Sequence, residues 1–338
     1  MAINKFMLAA LRALSYADID IKKNYKVSRL IQNLSQPPLP PAYKGWDHVI
    51  KANGATIPVR IFTPDAQRSD EILLFFHGGG WVKGSIESYS RVCADMARMT
   101  GRRVVSVDYR LAPEYPFPCA PEDCYAAAKE IYQNSELLGA APEGITLVGD
   151  SAGGNLAAVV SLMAAQRKEF TIAKQILIYP ATYNDHSDAS PYPSVKENGY
   201  DYLLTSKRIR DYLALYIQNP DDYNSPYFAP LLAQDLSGQP DTLVITAQYD
   251  PLRDEGEAYA ERLRQAGNTV TLYRVSDALH GFFSLPLRFS QVKECYGYIS
   301  AFLNGRPRNQ QLTEFLNQIT KKNRTNRGNE DGNDKPLE

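Results

Sequence analysis

Three features of this chain have the residue types and spacing to do chemistry together. They are a serine set among glycines, a histidine followed by three glycines, and a late histidine with an aspartate upstream of it. The serine lies in Gly149-Asp150-Ser151-Ala152-Gly153-Gly154-Asn155, directly after the apolar run Ile145–Val148 and before an apolar helical stretch. A sharp strand-to-helix turn of G-x-S-x-G type pushes the serine oxygen out of the end of a sheet, and the glycines let strand and helix approach. The helix N-terminus beneath it favours negative charge. Neither a Lys-Ser/Thr pair nor G-x-G-x-x-G follows, so the turn does not read as a phosphate loop.

His77-Gly78-Gly79-Gly80-Trp81 follows the apolar run Ile72–Phe76. Consecutive glycines can turn their amides towards one point, and the amides of Gly78 and Gly79, with that of Ala152, are predicted to cradle the oxyanion of a tetrahedral intermediate. The general base is chosen among His48, His77, His186 and His280. His48 sits in an early strand, His77 ends a strand and braces the glycine loop, and His186 lies in the polar loop 184–188, read as solvated surface. His280, in Asp277-Ala-Leu-His280-Gly281-Phe282, alone fits the order Ser…Asp…His typical of this elbow. Asp250 ends the run Thr242–Thr246 on the side where ligands gather in such sheets. It is preferred to Asp254, which starts the next helix and suits a dipole role, and to Asp277. Ser151 would then be the nucleophile, neutral His280 its base, and Asp250 the group that orients the imidazole.

These residues need a sheet to hold them. Strand-like runs occur at 46–51, 57–62, 72–76, 104–107, 145–148, 175–179, 242–246 and 269–275. Several are continuously apolar, as expected for strands covered on both faces. Helical spacing marks 88–99, 122–132, 155–167 and 255–266 between them, so the class is α/β with a mostly parallel sheet. Residues 182–229 break the rhythm, with eight tyrosines and a helical stretch at 206–216. With the helical arm that ends at Gln36-Pro-Pro-Leu-Pro-Pro41, this insertion is expected to form a cap over the active edge. The organisation read from this is a cap arm over 1–44, a core over 45–181 and 229–305, and a cap insertion over 182–228. Residues 306–338 are read as a C-terminal helix and tail, with disorder from about 323 because almost no apolar residue remains there.

Assembled in this way, the chain resembles the hormone-sensitive-lipase family of α/β-hydrolases, whose bacterial members are mostly short-chain carboxylesterases. The resemblance runs over residues 45–305. It rests on the two glycine motifs, Asp108-Tyr-Arg-Leu-Ala-Pro-Glu114, Asn224-Ser-Pro226, Asp250-Pro-Leu-Arg-Asp254-Glu255-Gly256 and His280-Gly-Phe282. It implies an eight-stranded sheet, a cap insertion after the sixth strand, and Gly78, Gly79 and Ala152 in the oxyanion hole. It also implies a supporting place beside the substrate for Asp150. The polar tail and the tyrosine-rich cap match the family poorly.

Composition bounds the remaining choices. With 44% hydrophobic residues, 22% charged and a net charge of −1, the chain lacks the basic balance of a nucleic-acid binder. Cys93, Cys119, Cys124 and Cys295 show no metal-like pairing, and no motif asks for a metal or organic cofactor. The N-terminus faintly resembles a signal peptide, but Arg12 interrupts the apolar run and Asp18 and Asp20 follow; no stretch is long enough to span a bilayer. The expected setting is cytoplasmic, with a small-molecule ester as partner and a homodimer left open. Trp81, Tyr183, Tyr200, Tyr202 and Phe282 are expected to line the substrate pocket, and short acyl esters are the expected substrates. A deacetylase of acetylated sugars or small metabolites, and an amidase or peptidase using the same triad, stand as alternatives. A non-catalytic receptor is disfavoured because every member of the triad is present, and a scaffold role leans only on the tail.

Overall fold

The computed structural model describes residues 20–34, 44–52 and 54–305, with Leu11, Arg12 and Ser15. The expectations for most of residues 1–19 and for 306–338 fall outside these.

All eight apolar runs become strands of one sheet. They are β1 (Lys44–Ala52), β2 (Ala55–Thr63), β3 (Ile72–Phe76), β4 (Arg103–Val107), β5 (Ile145–Asp150), β6 (Lys174–Ile178), β7 (Asp241–Tyr249) and β8 (Val270–Leu279). Their order is β1-β2-β4-β3-β5-β6-β7-β8, and only β2 is reversed, pairing antiparallel with β1 and β4. The eight-stranded, mostly parallel sheet implied by the resemblance is therefore present. β3 shows why its sequence is uninterrupted by polar residues. Ile72, Leu74 and Phe76 enter one core and Leu73 and Phe75 the other, and all five are fully buried. Alternate side chains of a strand point to opposite faces, so a strand covered on both sides favours apolar residues at every position.

Two helices, α2 (Ile86–Thr100) and α8 (Ser290–Leu303), pack on one face of the sheet. On the other lie α3 (Cys119–Gln133), α4 (Ala152–Arg167) and α7 (Arg253–Gln265). Among them α8 was not anticipated, although Val292, Cys295, Tyr296, Ile299 and Leu303 bury a stripe at helical spacing. α4 is buried on nearly all sides through its first thirteen residues, as its lack of amphipathic contrast suits.

Above the carboxyl ends of the strands sit α1 (Ile21–Leu34), α5 (Pro193–Asn198) and α6 (Ser206–Tyr216). The last two come from the segment between β6 and β7. α1 contacts α6 and α2, and Arg29 fixes it to the core. Its guanidinium donates to the carbonyls of Val82 and Ala112, both at 2.6 Å, and pairs with Glu114 at 3.0 Å. Among the described residues no helix is long and apolar enough to cross a membrane.

Candidate active site

Ser151 joins β5 to α4 with φ 56° and ψ −119°, a conformation costing on the order of 1–3 kcal/mol for a non-glycine residue. The surroundings impose it. The Ser151 amide donates to the Ile178 carbonyl at 2.9 Å, and its carbonyl accepts from Asn155 at 3.0 Å. A side chain at Gly149 would overlap the carbonyl of Gly153, and one at Gly153 the carbonyl of Phe76. The two glycines of G-x-S-x-G are thus required by direct backbone contact.

Ser151, His280 and Asp250 converge. His280 Nε2 lies 2.9 Å from Ser151 Oγ, and Nδ1 lies 2.7 Å from Asp250 Oδ2. Because a carboxylate oxygen only accepts, Nδ1 carries the proton and Nε2 is left as the acceptor for the serine hydroxyl. Asp250 is fully buried; its Oδ1 accepts from the Leu252 amide at 2.9 Å, and its own carbonyl accepts from Asn198 at 3.2 Å. Its rival Asp254 instead pairs with Arg253 at 2.7 Å and accepts from the Ser194 amide at 2.7 Å.

The glycine loop differs from expectation in one respect. The Gly78 amide is not free for substrate: it donates to Asp150 Oδ1 at 2.8 Å. Gly79 and Gly80, one step further along, line the cavity with Ser151 and Ala152. Gly80 has φ +64°, and an added Cβ would come within 2.7 Å of the Tyr212 ring. His77 braces this loop from below. It is fully buried, its Nδ1 donates to the Gly78 carbonyl at 2.9 Å, and its ring stacks on Tyr109 at 4.3 Å. Burial lowers its pKa to about 4, so it stays neutral at ordinary pH.

Asp150 is the buried hub under the oxyanion loop. Besides Gly78 it accepts from the hydroxyls of Tyr89 at 3.1 Å and Tyr179 at 3.2 Å. Burial raises its pKa to about 6, opposed by the hydrogen bonds from Gly78, Tyr89 and Tyr179 and by the nearby His280. It reaches the cavity wall, but its oxygens are already taken, which suits support of the loop.

A cavity of about 420 Å³ opens in front of Ser151. Trp81 lines it as expected, held by stacking on Tyr216 at 4.6 Å with the rings parallel. The other pocket aromatics named from the sequence lie elsewhere. Tyr183 meets Tyr192 edge-on at 5.1 Å, and Tyr202 stacks on Tyr249 at 5.0 Å. Tyr200 is 50% exposed and donates to Asp188. Phe282 is buried behind the triad against Tyr179, whose ring lies 4.8 Å from His280. The cap residues that do face the cavity are Ser28, Ile31 and Gln32 of α1 and Leu204, Ile209 and Tyr212 of the insertion.

His186 is also corrected. It is 2% exposed, not solvated, and its Nε2 lies 2.7 Å from Oε2 of the fully buried Glu255. Glu255 Oε1 accepts from the amides of Thr182 at 2.7 Å and Tyr183 at 3.1 Å, so one side chain on α7 fixes the start of the insertion. Asn155, inside the serine motif, holds both ends of that insertion by donating to Ala181 at 2.8 Å and Phe228 at 2.7 Å.

The fold and this site define an α/β-hydrolase with its serine at a nucleophile elbow. A family model described as alpha/beta hydrolase fold matches residues 73–284. The arylesterase of Saccharolobus solfataricus is 37% identical over 261 residues, 77% of this chain and 84% of that protein. The ethyl acetate hydrolase of Pseudomonas putida is 37% identical over 238 residues, 69% of this chain and 73% of that protein. Among solved structures, a hyperthermophilic esterase from the archaeon Pyrobaculum calidifontis matches with a TM-score of 0.78 at 36% identity, covering 90% of this chain and 99% of that one. The chain belongs to the hormone-sensitive-lipase-like family of α/β-hydrolases.

Proposed function

We propose that this carboxylic ester hydrolase cleaves short-chain acyl esters through an acyl-enzyme on Ser151. The observation that carries the reading is the unbroken chain from Asp250 through His280 to Ser151, at 2.7 Å and 2.9 Å, facing a cavity of about 420 Å³. His280 Nε2 takes the serine proton as Oγ attacks the ester carbonyl, then delivers it to the departing alkoxide. The same nitrogen next removes a proton from water, which attacks the acyl-enzyme and releases the acid. Asp250 holds the Nδ1–H tautomer and stabilises the imidazolium as it forms. The amides of Gly79, Gly80 and Ala152 are assigned to the oxyanion, because the Gly78 amide is occupied by Asp150.

The short acyl preference is supported by the cavity's modest size, about 420 Å³, and by the bulky Trp81, Ile209 and Tyr212 that line it with Ser151. The names of the two relatives, an arylesterase and an ethyl acetate hydrolase, favour small esters over long-chain lipids. Cap arm and insertion act together in this reading, since α1 and α6 both line the cavity. A cytoplasmic setting is supported by four free thiols, three of them buried. A series of 4-nitrophenyl esters from acetyl to palmitoyl tests the substrate class: kcat/KM is expected to peak between acetyl and hexanoyl, and a maximum at dodecanoyl or beyond would reject it.

A further inference from the structure

The ester cavity has a neighbour of about 270 Å³ that shares Ser28, Lys83, Leu204 and Tyr212 with it and adds Arg208. This side cavity is lined by two cationic side chains and, among the described residues, by no carboxylate. Both cations are half-buried. Arg208 Nη1 donates to the Leu203 carbonyl at 2.7 Å. The Lys83 ammonium lies 5.7 Å from the centre of the Tyr212 ring, which steadies it at the boundary of the two cavities.

Neighbouring carboxylates are engaged with other cations. Glu114 pairs with Arg29 at 3.0 Å, Asp201 with Arg12 at 2.9 Å, and Asp211 with Lys22 at 3.0 Å and Lys207 at 3.1 Å. Lys83 and Arg208 therefore face the side cavity without an ion-pair partner among the described residues. Two half-buried cations lining one small space favour an anion there, which each can pair with. The ordinary reason for a lysine and an arginine to be exposed is solvation. Here both line a space that shares four of its lining residues with the one that receives the ester.

We infer that the protein prefers esters bearing a second, ionised carboxylate, which Lys83 and Arg208 bind in the side cavity while the ester group meets Ser151. The inference rests on the ester-hydrolase reading above and names the substrate class for that site. The bound carboxylate is a spectator: it touches neither the scissile bond nor the triad. Its contacts are present alike in the ground state and the transition state, so they lower KM rather than raise kcat. Guanidinium and ammonium donors both suit a carboxylate, and their attraction weakens with salt because the site is open to solvent.

The test uses the full chain and two arms, which separate a carboxylate on the acyl side from one on the alcohol side. The first compares monoethyl succinate, glutarate and adipate with ethyl esters of the corresponding half-amides, by ethanol release. The second compares acetyl esters of 3-hydroxypropanoate and 4-hydroxybutanoate with those of the matching hydroxyamides, by acetate release. Each neutral amide keeps the shape of the acid and removes its charge. In at least one arm the acid is expected to exceed its amide in kcat/KM by about tenfold or more at low salt, through KM, with the gap narrowing as NaCl is added. Lys83→Met and Arg208→Gln are each expected to bring the acid-to-amide ratio towards one, and Lys83→Glu to take it below one. A wild-type ratio of one or less in both arms overturns the inference, as does a ratio that survives both Lys83→Met and Arg208→Gln. Absence of turnover on acids and neutral amides alike would overturn the ester-hydrolase reading and this inference with it, a failure that the neutral substrates distinguish from the first.

Discussion

At the scale of single residues, the site turns on which atoms are already occupied. Ser151 Oγ is the one hydroxyl aligned with His280 among the described residues, so Ser151→Ala should fold as the parent does while kcat falls by roughly 10⁴ or more. Turnover of 4-nitrophenyl acetate by the purified variant checks this, and retention of a tenth of the activity would require another nucleophile. Asp150 makes a prediction of opposite kind, about stability. Its pKa is raised by burial from 3.8 to about 6, so the folded state holds its proton over a range where the unfolded state has released it. A raised pKa contributes stability that is fully present below the unfolded value and is lost as pH rises through the folded value. Asn does not titrate, so lowering the pH from 8 to 4 should favour the parent over Asp150→Asn by on the order of 2 kcal/mol in unfolding free energy. Urea unfolding of both proteins at the two pH values measures the difference. The titration of His77 occurs in both and cancels.

At the scale of elements, α6 decides the size of the cavity. Ile209, Tyr212, Leu213 and Tyr216 recur at helical spacing and are buried on one face. That face lays Tyr212 against Gly80 and Tyr216 flat on Trp81, so the helix and the glycine loop are fitted to one another. Replacing Tyr212 by Ala removes the ring that closes the space above the loop. The acyl-chain optimum is expected to move by two or more carbons towards longer esters, with kcat/KM for acetate reduced. The same ester series on the variant checks it, and an unchanged optimum would place the limit on chain length elsewhere. Helix α1 lines another part of the cavity, fixed by Arg29 to the carbonyls of Val82 and Ala112.

At the scale of the whole molecule, the cap insertion is held by buried polar contacts as well as by surface ion pairs. The pair Arg253–Glu197 joins α7 to the insertion, but with Glu197 55% exposed such a pair contributes about 0–1 kcal/mol. Glu255 is different: it is fully buried and receives His186, Thr182 and Tyr183 at once. Glu255→Ala leaves three donors without their acceptor, at about 1–3 kcal/mol for each that water does not reach. A loss on the order of 3 kcal/mol or more in unfolding free energy is expected, and a loss under about 1 kcal/mol would show that the insertion is held by other means. Asn155 supplies the second attachment, from a helix that also carries the nucleophile at its start. The cap is therefore tied to the strand ends that position the triad.

Much of this was legible in the sequence because it is encoded locally. The strand-like runs marked all eight strands, the central ones because a strand covered on both faces is mostly apolar. The glycines of the serine turn marked a backbone crossing that no side chain can enter; chain order singled out His280, and its place at a strand end singled out Asp250. Helix 290–303 carries its apolar stripe at helical spacing but has no motif or glycine turn beside it to mark it as an element. What the tertiary structure alone decided is the destination of groups whose partners are remote in the chain. The Gly78 amide is taken by a carboxylate 72 residues away, and His186 is buried by one 69 residues away. Tyr212, rather than Tyr183, Tyr200 or Tyr202, reaches the cavity for the same reason. Residue type states what a side chain can do, but only the packing of distant segments determines which of several equivalent tyrosines or amides is left facing the substrate.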